Sequence, residues 1–211
     1  MKTKEAEKKD NLKANAANTT NSIDRMFAVG AHFGYSKSRR HPSVKSYIYG
    51  AKNWVEIIDL EKTSGLLDSA KEFAKKLGTE GKKILFIGSK NEAKNAVEEG
   101  AVSIDMPHVT GRWIGGTITN FSEIKKRISK MEDLSSKKDK GEFAQKYTKK
   151  EQLMLDREIK GLKENFFGIR SMTEAPNALF VVDTKAEDTA VREAKQKGIP
   201  VIGLLNSDSD M

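Results

Sequence analysis

The sequence predicts an α/β protein in which a parallel sheet, flanked by helices, carries an inserted antiparallel coiled-coil hairpin. Short apolar runs alternate with amphipathic segments in both the N-terminal and the C-terminal parts of the chain. The segment between these parts is highly charged and has only narrow apolar stripes. Only 37% of the 211 residues are hydrophobic, so we expect one globular core with an appendage rather than two full cores.

The N-terminal part of the sheet domain is predicted from strands and helices that alternate after residue 21. A short helix is expected first, and then a strand, a helix, a buried strand, a second helix and a third strand. The corresponding segments are Ser22–Val29, "WVEIIDL" (Trp54–Leu60), "EKTSGLLDSAKEFAKKLG", "KKILFIGS", "NEAKNAVEEGA" and "SIDMPHVT".

The same alternation of strands and helices is predicted near the C-terminus. "NALFVVD" (Asn177–Asp183) predicts a buried strand, "AEDTAVREAKQKG" a helix that ends at Gly198, and "IPVIGLL" (Ile199–Leu205) a final strand. Strands joined through helices form parallel pairs with right-handed crossovers. The sheet domain, residues 22–116 and 168–211, is therefore predicted to be a flavodoxin-like three-layer sandwich.

Residues 117–167 are predicted to form the coiled-coil hairpin. Apolar residues recur at spacings of three and four along two segments, separated by the polar stretch "SSKKDKGEF". The apolar positions are Ile118, Phe121, Ile124, Ile128 and Met131 or Leu134 in the first segment, and Leu155, Ile159, Leu162 and Phe166 in the second. The alternative is a pair of ordinary helices folded onto the sheet.

Residues 1–21 are predicted to form a disordered basic tail. After the initiator Met, Leu12 is the only large aliphatic residue in this stretch, so it cannot bury enough surface to offset the entropy of ordering.

The net charge of +8 indicates a polyanionic partner, with nucleic acid favoured over an anionic membrane surface. The alternative is a basic protein without such a partner. The chain has no cysteine, which excludes disulfides, thiolate metal sites and cysteine nucleophiles. It has no apolar run long enough to span a membrane and no apolar signal-peptide core, so we expect a cytoplasmic protein.

The strongest local signal is a basic loop without acidic residues. No Asp or Glu occurs between Arg25 and Glu56, and Pro42 disfavours a helix there. Tyrosines at positions 35, 47 and 49 are interleaved with the cations Lys37, Arg39, Arg40, Lys45 and Lys52. Cations mixed with aromatic rings are typical of contacts with RNA phosphates and of base stacking.

Two glycine-containing loops are further candidates for phosphate contacts. In "FIGSK", Gly88, Ser89 and Lys90 lie between a strand and a helix, but neither GxxxxGK[ST] nor GxGxxG is present. This turn either contacts an RNA phosphate or is a plain connection. In "TGRWIGGTITNF", Arg112 and Trp113 either contact RNA or, for Trp113, anchor the base of the hairpin. Lysines at the hairpin tip could reach a second RNA helix, and these are Lys137, Lys138 and Lys140.

The residues predict no catalytic, cofactor or metal site. His32, His41 and His108 lie in no HExxH pattern, and no GxSxG nucleophile elbow occurs. Asp183 follows a strand, where α/β enzymes place functional acids, but has no partner nearby in sequence. A nucleotide- or flavin-binding enzyme remains the alternative function, and a general nucleic-acid-binding regulator is a second one.

Four stretches of this chain resemble the S-two family of small-subunit ribosomal proteins, in its bacterial form. They are "AVGAHFGYSKSRRHPSVKSYIYGAKNWVEIIDLEKT", "KKILFIGSK", "GRWIGGTITNF" and "NALFVVDTKAEDTAVREAKQKGIPVIGL". The resemblance extends over about Ser22 to Leu205 with shared spacing. This chain departs from the family pattern at Tyr35, His41 and Trp54, where Trp54 replaces a small residue, and at its C-terminal end.

The resemblance implies a parallel α/β domain with a coiled-coil hairpin. It also implies a structural, non-enzymatic protein of the small ribosomal subunit, bound to small-subunit rRNA and to neighbouring ribosomal proteins. In bacteria the family also helps to recruit the large mRNA-binding ribosomal protein. No membrane partner and no cofactor are implied, and the expected location is cytoplasmic and ribosome-associated.

Overall fold

The computed structural model describes residues 22–211, except for the side chains of residues 144 and 145. The described chain divides into two compact units. The first contains residues 22–76 and 205–211, and the second contains residues 77–204. The predicted tail, residues 1–21, lies outside the described residues.

The first unit is built around a small antiparallel sheet. Helix α1 (residues 22–28) precedes strand β1 (Phe33–Ser36), a 3-10 helix (Pro42–Tyr47) leads into β2 (Ile48–Lys52), and β3 (Val55–Ile58) follows. The strand order is β1-β3-β2, with β3 antiparallel to both neighbours. Helix α2 (Leu60–Thr79) begins directly after β3.

The predictions for residues 33–60 were partly wrong. The sequence predicted a loop in which Pro42 disfavours helix, but this stretch contains β1, the 3-10 helix and β2. Pro42 does not break helix here, because its fixed φ suits the first position of the 3-10 helix. The strand predicted from Trp54 begins at Val55, and Asn53 and Trp54 instead form a two-residue turn with positive φ angles of 49° and 66°.

The second unit contains the predicted parallel sheet. Its strands are β4 (Ile84–Ile87), β5 (His108–Val109), β6 (Ala178–Val182) and β7 (Val201–Leu204), in the order β5-β4-β6-β7. Helix α3 (Asn91–Ser103) joins β4 to β5, and α7 (Asp188–Lys197) joins β6 to β7 in the opposite direction across the sheet. Right-handed crossovers that run in opposite directions place their helices on opposite faces. The predicted three-layer α/β class is confirmed.

Each face of this sheet packs its own apolar side chains. Leu85, Ile87, Leu179 and Val181 are fully buried in one cluster with Ala190 and Ala194 of α7. Side chains alternate between the faces of a strand, so the rings of Phe86 and Phe180 lie together on the other face, with centroids 5.2 Å apart. Helix α3 packs close to the end of β4, where a Cβ on Gly88 would lie 2.9 Å from a methyl carbon of Val97.

Two long helices between β5 and β6 form the predicted hairpin pair. They are α4 (Phe121–Asp139) and α6 (Lys149–Phe166), connected through the short helix α5 (Glu142–Lys146). The pair is antiparallel, with ion pairs from Lys138 to Asp156 at 2.9 Å and from Lys130 to Glu158. Of the predicted stripe positions, the buried residues are Ile124, Ile128 and Met131 on α4 and Ile159 and Phe166 on α6.

The tip of the hairpin contains the short helix α5 rather than a plain polar turn. Gly141 has the positive φ, 73°, that a glycine tolerates without strain. Phe143 of α5 is buried, and a capping box between Thr148 and Glu151 starts α6. Neither feature was predicted from the sequence.

The stripe of α4 belongs to the same buried cluster as the sheet. Ile124, Ile128, Met131 and Phe166 lie in the cluster that contains Leu85. The sheet and the hairpin also fall within one compact unit. The division into a sheet domain (residues 22–116 and 168–211) and a hairpin (residues 117–167) stays a prediction.

We expect Gly168→Ala to lower the free energy of unfolding by about 1–3 kcal/mol. A Cβ at this position would lie far inside van der Waals contact with the carbonyl oxygen and the ring of His108. The matched control is Gly161→Ala within α6, where a Cβ would meet nothing within 4 Å. The control should gain about 0.5–1 kcal/mol from helix propensity. Equal urea midpoints for the two variants would contradict this packing.

Candidate nucleic-acid interface

The carboxyl ends of β4 and β6 form the point where the strand order reverses, which is where open α/β sheets bind ligands. The backbone amide of Ser89 donates to Oε1 of Glu187 at 3.0 Å, and Lys90 forms an ion pair with Asp183. Glu187 is only 3% exposed. Two donors just before α3, the Ser89 amide and the Lys90 ammonium, are therefore already bound to the protein's own carboxylates.

Asp183 is held as an anion at this point. Burial alone would raise the pKa of its carboxyl group, but the hydrogen bond with Lys90 and that from the Ala186 amide outweigh burial and lower the pKa. Its backbone has a positive φ of 64°, and its Oδ1 accepts from the amides of Lys185 and Ala186 at 3.2 Å each. The sequence offered no partner for Asp183, and the fold supplies one.

This geometry bears directly on the candidate residues Gly88, Ser89 and Lys90. A nucleotide phosphate at the amide of Ser89 would have to displace Glu187, and a phosphate on Lys90 would have to compete with Asp183. A Cβ on Gly88 would press on Val97 of α3, so close packing alone explains this glycine. The geometry favours the plain connection over a phosphate site.

The second glycine-containing loop is organised by one carboxylate, that of Glu193 on α7. Its Oε1 accepts from the Trp113 ring Nε1 at 3.1 Å and from the Gly116 amide at 2.8 Å. Its Oε2 accepts from the Ile118 amide at 3.0 Å, and from the amide and the hydroxyl of Thr119 at 3.1 Å each. Five hydrogen bonds thus connect one side chain to the loop that leads into α4.

The pKa of Glu193 is lower than its ordinary value despite burial. Burial by itself raises the pKa, but the donors on Gly116, Thr119, Ile118 and Trp113 stabilise the charged form more strongly. The carboxylate is 8% exposed and needs no cation, because backbone amides supply the compensating positive ends of dipoles.

The two residues predicted from this loop have different environments. Trp113 is 8% exposed and bound to Glu193, so little of its ring is left for a base. Of the two alternatives left open for Trp113, the geometry favours the anchor. Arg112 is exposed and lines a cleft of about 490 Å³ together with Lys94, Lys163 and Phe167.

The basic loop presents its cations on the surface of the first unit, with one exception. Lys37, Arg39, Lys45 and Lys52 are exposed, and the Arg39 guanidinium lies 5.4 Å from the centre of the Tyr35 ring. Arg40 instead donates to the buried carboxylate of Glu56 at 2.9 Å. Glu56 is 2% exposed, so the first acid after the acid-free window contributes no negative charge to the surface.

The predicted tip lysines lie where α4 ends. Lys137, Lys138 and Lys140 are all exposed, and Lys138 also forms the ion pair with Asp156. They belong to the second unit and the basic loop to the first, so the predicted residues form two separate sets.

Sequence reasoning missed the three buried carboxylates, Glu56, Glu187 and Glu193. One signal for Glu193 was available, because Ala190 precedes it by three residues and therefore shares its side of α7. A glutamate that is buried on such a face must accept hydrogen bonds from a neighbouring element.

The histidines have structural surroundings. The ring of His32 stacks between Phe27 and Phe33, with centroids 4.3 Å and 4.1 Å away. His41 contacts Ser43 at 2.8 Å and Asp210 at 3.3 Å. Over residues 22–211 no three His, Asp or Glu side chains are grouped as metal ligands would be. No described helix has the length and apolar character that crossing a membrane requires.

Fold and surface together define a class: an α/β protein with a parallel sheet, a helical hairpin after β5 and a cationic loop. Residues 26–211 match the family model described as Ribosomal protein S2. The chain belongs to this family.

Relatives with the name "Small ribosomal subunit protein uS2" align with 90% of this chain. The protein from Chloroflexus aggregans is 39% identical and is covered over 79% of its length. Those from Salinibacter ruber and Micrococcus luteus are 42% and 41% identical and are covered over 59% and 66%. The chain thus spans between three fifths and four fifths of the length of these three relatives.

We expect Glu193→Gln to lower the free energy of unfolding by at least about 2 kcal/mol. In Gln, an NH2 group replaces one carboxylate oxygen, so its two hydrogens would face donors of the loop. The substitution also removes the negative charge that strengthens all five hydrogen bonds. Glu99→Gln, an exposed change of the same charge on α3, is the matched control and should be neutral. Urea unfolding followed by Trp fluorescence measures both, and equal stabilities would contradict the role of Glu193.

The depressed pKa of Glu193 also predicts how the stability difference depends on pH. In the unfolded chain a glutamate titrates near about 4.3, and in the folded protein it titrates lower. The stability that ionised Glu193 contributes is therefore fully present above its pKa in the unfolded chain, and it is lost as pH falls towards its pKa in the folded protein. The urea midpoints of wild type and Glu193→Gln should differ by a constant amount above about pH 5 and converge below it. A difference that widens on acidification would contradict the direction of the shift.

Proposed function

We propose that this protein is a structural, non-enzymatic component of the small ribosomal subunit that binds rRNA. The observation that carries this proposal is the cationic surface of the first unit. Four exposed cations there, Lys37, Arg39, Lys45 and Lys52, lie within a stretch of chain without acids. The one nearby strand acid, Glu56, is buried and bound to Arg40. The relatives named for the small ribosomal subunit support the same role.

The mechanism is neutralisation of phosphate charge by a preorganised surface. Each lysine or arginine that contacts a phosphate releases a condensed counterion, which favours binding in proportion to the number of contacts. The β1-β3-β2 sheet and the Arg40–Glu56 pair fix the spacing of these cations. The rigid spacing sets the register on the RNA, while phosphates themselves carry no sequence information.

The alternative of a nucleotide- or flavin-binding enzyme receives no support from the site. At the crevice where such a ligand would bind, the Ser89 amide is bonded to Glu187 and Lys90 is paired with Asp183. A phosphate there would have to displace these two side chains from their partners.

Other surfaces suit further partners within the subunit. The exposed lysines Lys137, Lys138 and Lys140 and the cleft residue Arg112 are proposed to contact rRNA from the second unit.

Neighbouring ribosomal proteins are the other proposed partners. For the large mRNA-binding ribosomal protein we propose the exposed stack of Phe27, His32 and Phe33. The location that follows is cytoplasmic and ribosome-associated.

We expect charge reversal of three loop cations, Lys37→Glu, Arg39→Glu and Lys45→Glu, to abolish stable binding to small-subunit rRNA. Losing three phosphate contacts should reduce the magnitude of the negative slope of log K (association) against log salt concentration by about 3. It should also reduce the affinity strongly at physiological salt. Filter binding across a salt series measures both. Arg40 is left unchanged, because its loss would leave Glu56 buried without a partner.

The matched control reverses three exposed lysines elsewhere, Lys75, Lys195 and Lys197. It has the same net charge as the test variant, so a nonspecific charge effect would weaken both equally. Sedimentation of tagged proteins in lysate gives the second readout, in which wild type and control should travel with small subunits at near one copy each. Undiminished incorporation of the loop variant would refute the proposed interface.

A further inference from the structure

We propose that Trp54, at the tip of the β2–β3 hairpin, stacks on an unpaired base of the RNA, while lysines beside it bind the flanking phosphates. This inference rests on the proposed function and adds a base contact to it. It concerns a residue that none of the predicted sites included.

Trp54 is the most exposed large hydrophobic residue in the described part of the chain. Its exposed fraction is 91%, against 8% for Trp113, the other tryptophan of this protein. Tyr49, on the same hairpin, is 82% exposed. Rings with this exposure contribute little to a core, so both are free to contact a partner.

The backbone at Trp54 is unfavourable for a tryptophan. Asn53 and Trp54 have φ angles of 49° and 66° and connect β2 to β3 through a two-residue turn. In such a turn both central residues need positive φ, so asparagine followed by glycine is the preferred pair. A bulky side chain with positive φ is strained, and strain of this kind concentrates at functional sites.

The cations around this tip suit phosphates. Val55 of β3 pairs with Ser36 of β1 and with Lys52 of β2. Lys37 follows Ser36, so Lys37, Lys52 and Trp54 lie at one end of the three-stranded sheet. Both lysines are exposed, and the next residue after Val55, Glu56, is buried against Arg40.

This combination favours RNA over a protein or a lipid surface. A ring that stacks on one base while cations bind the backbone is the usual way in which proteins bind single-stranded RNA. Base-paired RNA would offer the same phosphates without a free base face. A ring that served a protein contact would not distinguish single-stranded RNA from other polyanions.

The fluorescence of Trp54 provides a direct test in the full chain. Because Trp113 is buried, quenching by added ligand reports mainly on Trp54. The ligands are a 12-nucleotide single-stranded RNA, a 12-base-pair RNA duplex and inorganic polyphosphate, compared at equal phosphate concentration. We expect strong quenching by the single strand and little by the other two. Equal quenching by polyphosphate, or none by any ligand, would overturn the inference.

Two substitutions separate the ring from the backbone. Trp54→Gly should weaken single-strand binding at least about fivefold, since stacking on one base contributes about that much or more. The same change should raise the urea midpoint of the free protein, because glycine relieves the strained φ. Trp54→Phe keeps a ring and should retain most of the affinity. Unchanged single-strand affinity in Trp54→Gly would refute the proposal.

Failure of this inference is distinguishable from failure of the proposed function. If wild type does not bind small-subunit rRNA with steep salt dependence, the proposed function is wrong. If wild type binds and Trp54→Gly binds equally well, only the stacking role is wrong. If Trp54→Gly instead loses a cross-link to a neighbouring ribosomal protein while RNA binding is unchanged, the ring serves a protein contact and the inference is overturned.

Discussion

The hydrogen bonds to Glu193 are the constraint on which the second unit depends. The loop between β5 and α4 contributes Trp113 and Ile118 to the buried cluster, and its backbone amides need acceptors where they are buried with these side chains. One carboxylate collects donors from the loop backbone and from Trp113, and this fixes the direction in which α4 leaves the sheet. The apolar stripe of α4 meets α6 and the sheet core only in that direction. A buried acid thus performs a task that an apolar anchor could not, because amide donors need an acceptor.

Buried carboxylates accept hydrogen bonds at two other places as well. Glu187 accepts from the amide of Ser89, and Glu56 accepts from Arg40. In each case a buried carboxylate of the protein itself satisfies a donor that would otherwise lack a partner. Exposed cations of the basic loop, among them Lys45 and Lys52, are open to an external anion.

The elements that depend on local periodicity could be predicted from the sequence, and those that depend on distant partners could not. Strand β6 and helix α7 follow from an apolar run and an amphipathic stretch that ends at Gly198, whose φ is 67°. The β1-β3-β2 sheet was missed because its hairpin turn carries Asn53–Trp54, without the glycine that usually signals such a turn. The ion pair of Asp183 with Lys90 joins segments more than ninety residues apart, beyond the reach of any local pattern.

The basic loop shows how a formal charge count misstates a binding surface. The sequence places five cations in the loop, but Arg40 is committed to Glu56 and contributes rigidity instead of binding charge. The exposed loop therefore presents four cations rather than five, and the buried acid adds no negative charge beside them. The pair converts a flexible basic segment into a fixed array. A flexible segment would have to lose its conformational entropy on every encounter with RNA, whereas the fixed array has already lost it on folding.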